Sequence, residues 1–151
     1  MTIAVQMETS IARPAAEVYA HLIDIERFPE WLIASGIVGV ERLDDDPPGP
    51  GSSVRISQRV AGRSTVLDGS ITRLEPDRAL GLHGRDPDGI TIDIEATLLP
   101  DTAGCRLRWS LELGLPLRFR MFESMVAPQV RRAVALDLEA FRRRVEDGSP
   151  D

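Results

Sequence analysis

Three polar side chains in the middle of this chain have the chemistry to act as acids, bases or orienting groups: Gln58, Asp68 and His83. Gln58 alternates with valine and isoleucine residues between positions 54 and 60, so its amide is expected on the apolar face of a strand. A buried amide needs a hydrogen-bond partner. A ligand oxygen and a group on a neighbouring strand or helix would each satisfy Gln58, and the sequence leaves both alternatives open.

Asp68 and His83 depend on which face of a strand each one occupies. If Gly62-Arg63 is the centre of a two-residue hairpin turn, Asp68 faces outward. A three-residue turn over 61–63 would bring Asp68 inside, where burial would raise the pKa of its carboxyl group. His83 has the ordinary pKa that suits proton transfer. Its alternation with neighbouring leucines nevertheless predicts a position on the outer face.

The sequence carries no recognisable catalytic or cofactor-binding motif. It has no nucleophile elbow, no dinucleotide-binding glycine pattern and no phosphate-binding P-loop. His21 and Asp24 share one face of a predicted helix, but two side chains do not make a metal site. The aspartates at 44–46 lack the ligand spacing of a calcium loop and precede two prolines. We predict no catalytic residue, no cofactor and no metal site, and whether the protein is an enzyme stays open.

The alternation that positions these side chains extends from residue 52 to 113 and predicts an antiparallel sheet with one solvated face. The predicted inner-face residues are Val54, Ile56, Gln58, Val60, Thr65, Leu67, Gly69, Ile71, Leu80, Leu82, Ile90, Ile92, Ile94, Ala96, Leu107, Trp109, Leu111 and Leu113. If the last hairpin turns about Asp101-Thr102, Glu95 lies opposite Arg108 and Thr97 opposite Arg106 on the outer face.

Helical spacing precedes these strands. After a predicted strand over 3–11, Pro14 suits the first position of a helix, and apolar residues then form one stripe from Ala15 to Ile25. Pro29 stops that helix or starts a second short one. A strand over 37–43 and a proline-rich loop over 44–51 follow.

The C-terminal third predicts one long helix. Apolar residues recur at intervals of three or four from Phe119 to Val145, and the stripe continues through Pro128, which should kink the helix. Arg142-Arg143-Arg144 is flanked by acidic residues at 137, 139, 146 and 147. This pattern predicts a solvated helix face rather than a phosphate site.

Composition and charge restrict the class of protein. A length of 151 residues, with 42% hydrophobic and 28% charged residues, predicts one soluble globular domain over 1–151. A net charge of −6 argues against nucleic-acid or anionic-membrane partners. The single cysteine, Cys105, cannot form an internal disulfide, and neither a signal peptide nor a membrane-spanning stretch is visible. We expect a cytoplasmic bacterial protein that is a monomer or a homodimer.

The segment "IARPAAEVYAHLIDIERFPEWL" (residues 11–32) resembles the N-terminal motif of the START/SRPBCC superfamily, and of its polyketide cyclase/dehydrase-like branch in particular. The matching residues are Val18, Leu22, Asp24, Phe28, Pro29 and Trp31. "TRLEPDRAL" (residues 72–80) resembles the family's Glu-Pro corner. The resemblance covers residue 3 to about 146. It implies an α+β helix-grip fold, in which a curved antiparallel sheet of about seven strands wraps around a long C-terminal helix, with two short helices after the first strand.

The resemblance also implies a bulky apolar ligand, such as a polyketide, lipid, sterol or quinone, between the sheet and the long helix. Phe28 and Trp31 are expected over the open end of this groove as a lid; the alternative is a hydrophobic plug with no cavity beneath it. The predicted ligand-binding residues are Phe28, Trp31, Leu32, Ile56, Gln58, Val60, Leu67, Leu82, Ile92, Ile94, Trp109, Leu111, Phe119, Phe122, Met125 and Val126.

Three functions follow as hypotheses. The first is a binding protein for a small apolar molecule. The second is a cyclase or dehydratase in which Gln58 orients a ketone. The resemblance implies that an aromatic polyketide cyclase would use arginine, tyrosine or histidine side chains in its pocket. This chain departs from that pattern, because it has one tyrosine, Tyr19, and its sheet arginines fall on the outer face. The third is a protein-interaction domain whose groove is filled by its own side chains.

Overall fold

A computed structural model of the protein describes residues 2–60 and 62–148, and only the backbone of Val60. The elements in chain order are β1 (Thr2–Ile11), α1 (Ala15–Leu22), a first 3₁₀ helix (Ile25–Glu30), β2 (Ile37–Arg42), β3 (Ser53–Val60), β4 (Arg63–Glu75), β5 (Ala79–Arg85), β6 (Thr91–Asp101), β7 (Gly104–Gly114), a second 3₁₀ helix (Leu117–Phe122) and α2 (Glu123–Glu146).

The seven strands form one antiparallel sheet in the order β1-β7-β6-β5-β4-β3-β2. Each hydrogen-bonded neighbour is antiparallel. Burial alternates along β6, where Ile92, Ile94, Ala96 and Leu98 are buried and the residues between them are less so. This is the predicted helix-grip fold, with one face of the sheet against α2 and the other solvated.

The register of two hairpins differs from the prediction by two residues. Val60 pairs with Arg63, so the β3–β4 turn is centred one residue earlier than Gly62-Arg63. Ala61 lies outside the described residues. Because a shift of two keeps every side chain on its face, Asp68 still points outward, and its side chain is 79% exposed.

The β6–β7 hairpin shows the same kind of error. Asp101 pairs with Gly104, which places Glu95 opposite Ser110 rather than Arg108. The carboxylate of Asp101 accepts hydrogen bonds from the Ala103 N–H (3.3 Å) and the Thr102 hydroxyl (3.4 Å), which fixes a turn one residue later than predicted.

The two predicted cross-strand pairs, Glu95 with Arg108 and Thr97 with Arg106, are therefore wrong. Thr97, which was expected opposite Arg106, pairs with Arg108 instead. The guanidinium of Arg108 contacts Glu8 of β1, with 2.8 Å between Nε and Oε2.

Helix α2 is continuous through Pro128, as predicted, but the four residues from Phe119 belong to the second 3₁₀ helix. The buried residues of α2 are Val134, Asp137, Leu138, Phe141 and Val145. All five lie from Val134 onward, and this stretch, which we call the C-terminal half, is the one that seals the sheet. The N-terminal half, from Glu123 to Ala133, contains only half-buried and exposed side chains.

Candidate functional site

The closed end of the groove is filled by four aromatic rings. Trp31 lies 4.6 Å from Phe141 of α2, 5.5 Å from Trp109 of β7 and 5.4 Å from Phe28, measured between ring centroids. Trp31 and Phe28 are each only 2% exposed. The prediction that these two rings form a lid over the open end is therefore wrong, because both are enclosed in the core. Their packing agrees with the alternative, a hydrophobic plug.

The open end of the groove faces the N-terminal half of α2. The inner-face residues Ile92, Ile94 and Leu111 keep between 6% and 8% of their surface exposed, whereas Leu80 and Leu107 keep none. The half-buried helical residues that pack against the core from this side are Phe119, Val126, Ala127 and Val130. These inner-face residues are therefore all buried, and what differs here is the helix, whose N-terminal residues are less completely packed than those beside the aromatic rings.

The other predicted ligand-binding residues fall into two groups. Those enclosed in the apolar core are Leu32, Ile56, Leu67, Leu82 and Trp109. Phe122 and Met125 are 45% and 62% exposed, which places them at the rim rather than inside the groove. The side chain of Val60 lies outside the described part of the chain.

Two clefts lie where the β3–β4 hairpin, the β5–β6 turn and the second 3₁₀ helix meet. The hairpin cleft has a volume of about 750 Å³ and is lined by Val38, Ser57, Gln58, Arg59, Arg63, Ser64, Thr65, Val66, Pro87 and Asp88. The rim cleft, of about 430 Å³, includes Arg85, Asp88 and Arg118. Asp88 joins the two, because its carboxylate contacts the guanidinium groups of Arg63 and Arg118. Gln58 is the predicted ligand-binding residue that lines the hairpin cleft.

The amide of Gln58 is bound within the chain. Its Nε2 donates a hydrogen bond to the backbone carbonyl of Ser35 at 3.0 Å, in the loop between Trp31 and β2. The sequence left open whether Gln58 binds a ligand oxygen or a group of the protein, and its NH₂ group binds the protein. The amide oxygen has no hydrogen-bond partner among the described residues.

The same loop is held from the other side by Asp137 of α2. Its two carboxylate oxygens accept hydrogen bonds from the backbone N–H groups of Ala34 and Ser35, each at 2.9 Å. Asp137 is only 3% exposed. Burial raises the pKa of its carboxyl group, and the hydrogen bonds to Ser35 and Ala34 lower it by less.

Sequence reasoning missed Asp137 because it was grouped with the acidic residues of a solvated helix face. A signal was nevertheless present. Position 137 lies three residues after Val134 and four before Phe141, so it falls within the apolar stripe of α2. A charged residue in phase with such a stripe must have a partner across the interface.

Asp68 and His83 lie on the outer face of the sheet. The Nδ1 atom of His83 lies 2.6 Å from Oδ1 of Asp93, and Asp68 contacts Arg55 at 3.5 Å. Neither group reaches the groove, as the alternation predicts for His83. Tyr19 is buried on α1, where burial and then the carboxylates of Asp77 and Glu75 raise the pKa of its phenol.

Two further features of the described chain concern metals and membranes. Within residues 2–60 and 62–148, no group of three or more histidine, cysteine, aspartate or glutamate side chains is arranged to hold a metal ion. Across the same ranges, no helix is long and apolar enough to cross a membrane.

Similarity to known proteins agrees with this architecture. Residues 2–146 match the family model described as polyketide cyclase/dehydrase and lipid transport. Curated protein sequences include no significant match to the chain.

Solved structures give the same fold at low sequence identity. The chain superimposes on the Zhui aromatase/cyclase from Streptomyces sp. R1128 with a TM-score of 0.76 and 18% identity, covering 100% of both chains. A START superfamily protein from Mycobacterium smegmatis gives 0.73 and 18%, covering 98% of this chain and 99% of that one. TTHA0849 from Thermus thermophilus gives 0.74 and 17%, covering 99% and 100%. The chain belongs to the polyketide cyclase/dehydrase and lipid transport family, as the START/SRPBCC resemblance of its N-terminal motif predicts.

Proposed function

We propose that this protein binds a small hydrophobic molecule in the groove between the inner face of the sheet and the N-terminal half of α2. The observation that carries the proposal is the unequal burial of α2. Its C-terminal half is sealed onto the sheet by Val134, Leu138, Phe141 and Val145, whereas no residue from Glu123 to Ala133 is buried. The inner face of the sheet is apolar, and an apolar wall beside an incompletely buried stretch of helix is where a hydrophobic ligand gains most from leaving water.

The chemistry of the wall supports an apolar ligand with few polar groups. Ile92, Ile94 and Leu111 supply aliphatic surface on the sheet, and Val126 and Phe119 supply apolar surface on the helical side. A polyketide-, lipid-, sterol- or quinone-like molecule has the matching chemistry. The family to which the chain belongs covers polyketide cyclases, dehydrases and lipid transport, which agrees with this class.

A polyketide cyclase or dehydratase is the second candidate, and the buried carboxyl group of Asp137 is the observation that favours it. Asp137 and Gln58 bind the same residue, Ser35, so an ionisable group lies near the amide that would orient a ketone. Both of its oxygens accept backbone N–H groups, however, so it holds the loop rather than facing a substrate. We therefore propose binding as the primary function. A protein-interaction domain with a filled groove is the weaker alternative, because the aromatic plug fills only one end.

Tryptophan fluorescence should report ligand binding. Trp31 and Trp109 lie 5.5 Å apart at the inner end of the groove, so an apolar ligand should change their emission in a saturable way. We expect this for at least one compound in a panel of sterols, quinones and aromatic polyketide analogues. In Trp31→Phe the response should persist, carried by Trp109.

A pair of variants separates groove binding from surface binding. Ile94→Phe adds volume to the inner wall and should weaken the response at least about tenfold, whereas Val66→Phe, at an exposed position on β4, should leave it unchanged. Circular dichroism melting checks that both variants fold. A panel that leaves both tryptophans unaffected at solubility-limited concentrations, or equal effects of the two variants, would count against the proposal.

We further propose the cytoplasm as the location of the protein, which agrees with its single cysteine, Cys105, being a buried free thiol. A monomer or homodimer without nucleic-acid partners is proposed on the basis of the net charge of −6. Size-exclusion chromatography with light scattering would distinguish the two oligomeric states.

A further inference from the structure

We propose that the outer surface of residues 117–136, from the second 3₁₀ helix into α2, docks onto a membrane surface that carries anionic lipids. We call this surface the docking face. Docking concerns the outside of the helix and goes beyond the proposed function, which concerns what the groove holds. Two features of the docking face support it: a stripe of exposed apolar side chains, and a group of arginines without an ionic partner.

The apolar stripe runs along the side of α2 that is turned away from the sheet. Intervals of three and four residues place five exposed positions on this side, beginning at the residue that caps the helix: Phe122, Met125, Gln129, Arg132 and Leu136. The buried residues of α2 lie on the opposite side. Leu136 is 58% exposed, and the neighbouring Met121 is 77% exposed. Large apolar side chains that cluster on a surface mark a site of contact.

The arginines of the docking face differ from those at the end of α2. The three arginines at 142–144 each contact a glutamate. Arg120, Arg131 and Arg132 are exposed and have no ionic partner among the described residues. Residues 117–136 contain four arginines and one glutamate, which gives a local charge of +3 in a chain of net charge −6.

This local charge changes the conclusion that the net charge suggested. The net charge of −6 argued against an anionic membrane as a partner, but it averages over the whole chain. At physiological ionic strength a charge acts over about 8 Å, so a membrane meets the charge of the surface that touches it. The docking face is therefore attracted to anionic lipids although the protein as a whole is acidic.

The combination of features fits a lipid surface better than a folded partner. The docking face is the convex side of a helix, and its apolar side chains protrude. A bilayer interface accepts protruding apolar side chains without a matching pocket, and arginine stems can enter it while their guanidinium groups contact lipid phosphates. Val126 and Val130 pack against the core from the same stretch of α2. Docking would thus hold the helical wall of the groove beside a source of apolar molecules.

The test is co-sedimentation of the full chain with vesicles, without any groove ligand. We expect binding to vesicles of phosphatidylglycerol and phosphatidylcholine in equal parts, little binding to phosphatidylcholine alone, and weaker binding as salt is raised. The double variant Arg131→Gln with Arg132→Gln should weaken binding about tenfold or more. The matched control, Arg55→Gln with Arg59→Gln, removes the same charge from exposed positions on the outer face of β3 and should change binding by less than about twofold.

Two further measurements test the apolar stripe. Leu136→Gln should weaken vesicle binding about threefold or more, because it removes apolar surface without changing the charge. Circular dichroism melting checks that each variant folds. A paramagnetic gadolinium-chelating lipid in the vesicles should broaden the methyl resonances of Met121 and Met125 more than those of Val66, on the far side of the sheet. This comparison uses only the wild-type chain.

Four results would overturn the proposal. The first is the absence of binding to phosphatidylglycerol vesicles. The second is an equal effect of the two double variants, which would show that only net charge matters. The third is binding to soluble poly-glutamate through Arg131 and Arg132 without binding to vesicles, which would assign the face to an acidic protein. The fourth is a dimer that Leu136→Gln dissociates in light scattering, which would assign the face to a second copy. The ligand titrations use no vesicles, so each of these results leaves the proposed function standing.

Discussion

Replacing Trp31 with alanine is expected to lower the free energy of unfolding by about 3–5 kcal/mol. The indole is 2% exposed and is the common contact of Phe28, Trp109 and Phe141, at centroid distances of 5.4, 5.5 and 4.6 Å. Its loss removes the transfer free energy of a large side chain and leaves a cavity between the first 3₁₀ helix, β7 and α2. The edge-to-face ring pairs add about 0.5–1.5 kcal/mol each beyond buried area. Urea denaturation followed by circular dichroism measures the change.

Leu117→Ala is the control for this variant. Leu117 is 79% exposed, so truncating it should change the free energy of unfolding by no more than about 0.5 kcal/mol. If Trp31→Ala were equally neutral, the indole would behave as a mobile lid at the surface, and the aromatic plug described above would be wrong.

Replacing Asp137 with alanine is expected to lower the free energy of unfolding by about 2–5 kcal/mol, because the variant leaves the N–H groups of Ala34 and Ser35 without their acceptor. Both hydrogen bonds are part-buried, and the loss of each one costs about 1–3 kcal/mol. Asp45→Ala, in an exposed part of the 43–52 loop, should be neutral within about 0.5 kcal/mol. Urea denaturation compares the two variants. An Asp137→Ala protein as stable as the wild type would show that the loop does not depend on the carboxylate.

The stabilisation by Asp137 should also depend on pH. Burial raises the pKa of its carboxyl group above 3.8, so the folded protein holds this proton more tightly than the unfolded chain does. Its contribution to the free energy of unfolding is therefore greatest below the unfolded pKa and declines as pH rises to the raised folded pKa. The stability difference between wild type and Asp137→Ala should be larger at acid pH than at pH 7. A difference that grows as pH rises would mean that the hydrogen bonds outweigh burial.

The sequence predicted the faces of most strand residues but not the register of two hairpins. Alternation is a local pattern, and it placed Ile92 and Trp109 inside and His83 outside, as observed, whereas the face of Asp68 depended on the length of the β3–β4 turn. Register depends on turn geometry, which in the β6–β7 hairpin is set by the side chain of Asp101 and by Gly104. The φ of Gly104 is 146°, and an added Cβ would lie 2.6 Å from the backbone of Arg13. That contact joins residues distant in sequence, so no local pattern reveals it.

The errors at the candidate site have the same origin. Aromatic residues at 28 and 31 predicted an apolar partner, but the partners are Trp109 and Phe141, and only tertiary docking shows that these rings lie inside the core. For Asp137 the helical phase indicated the core, and its charge indicated solvent. The phase was right, because the backbone of the loop before β2 supplies the hydrogen bonds that a buried carboxylate requires.

The most direct test of a hydrophobic site under α2 is a methyl NMR titration of the protein with 1-naphthol. We predict that the methyl resonances of Ile92, Ile94 and Leu111 shift along one saturable curve, because these side chains form the inner wall opposite the loosely covered half of the helix. The methyl groups of Val38 and Val66, which are 60% and 43% exposed, serve as the control and should stay in place. Shifts confined to Val38 and Val66 would place the ligand in the hairpin cleft, and that result, or the absence of any shift, would contradict a binding site between the sheet and α2.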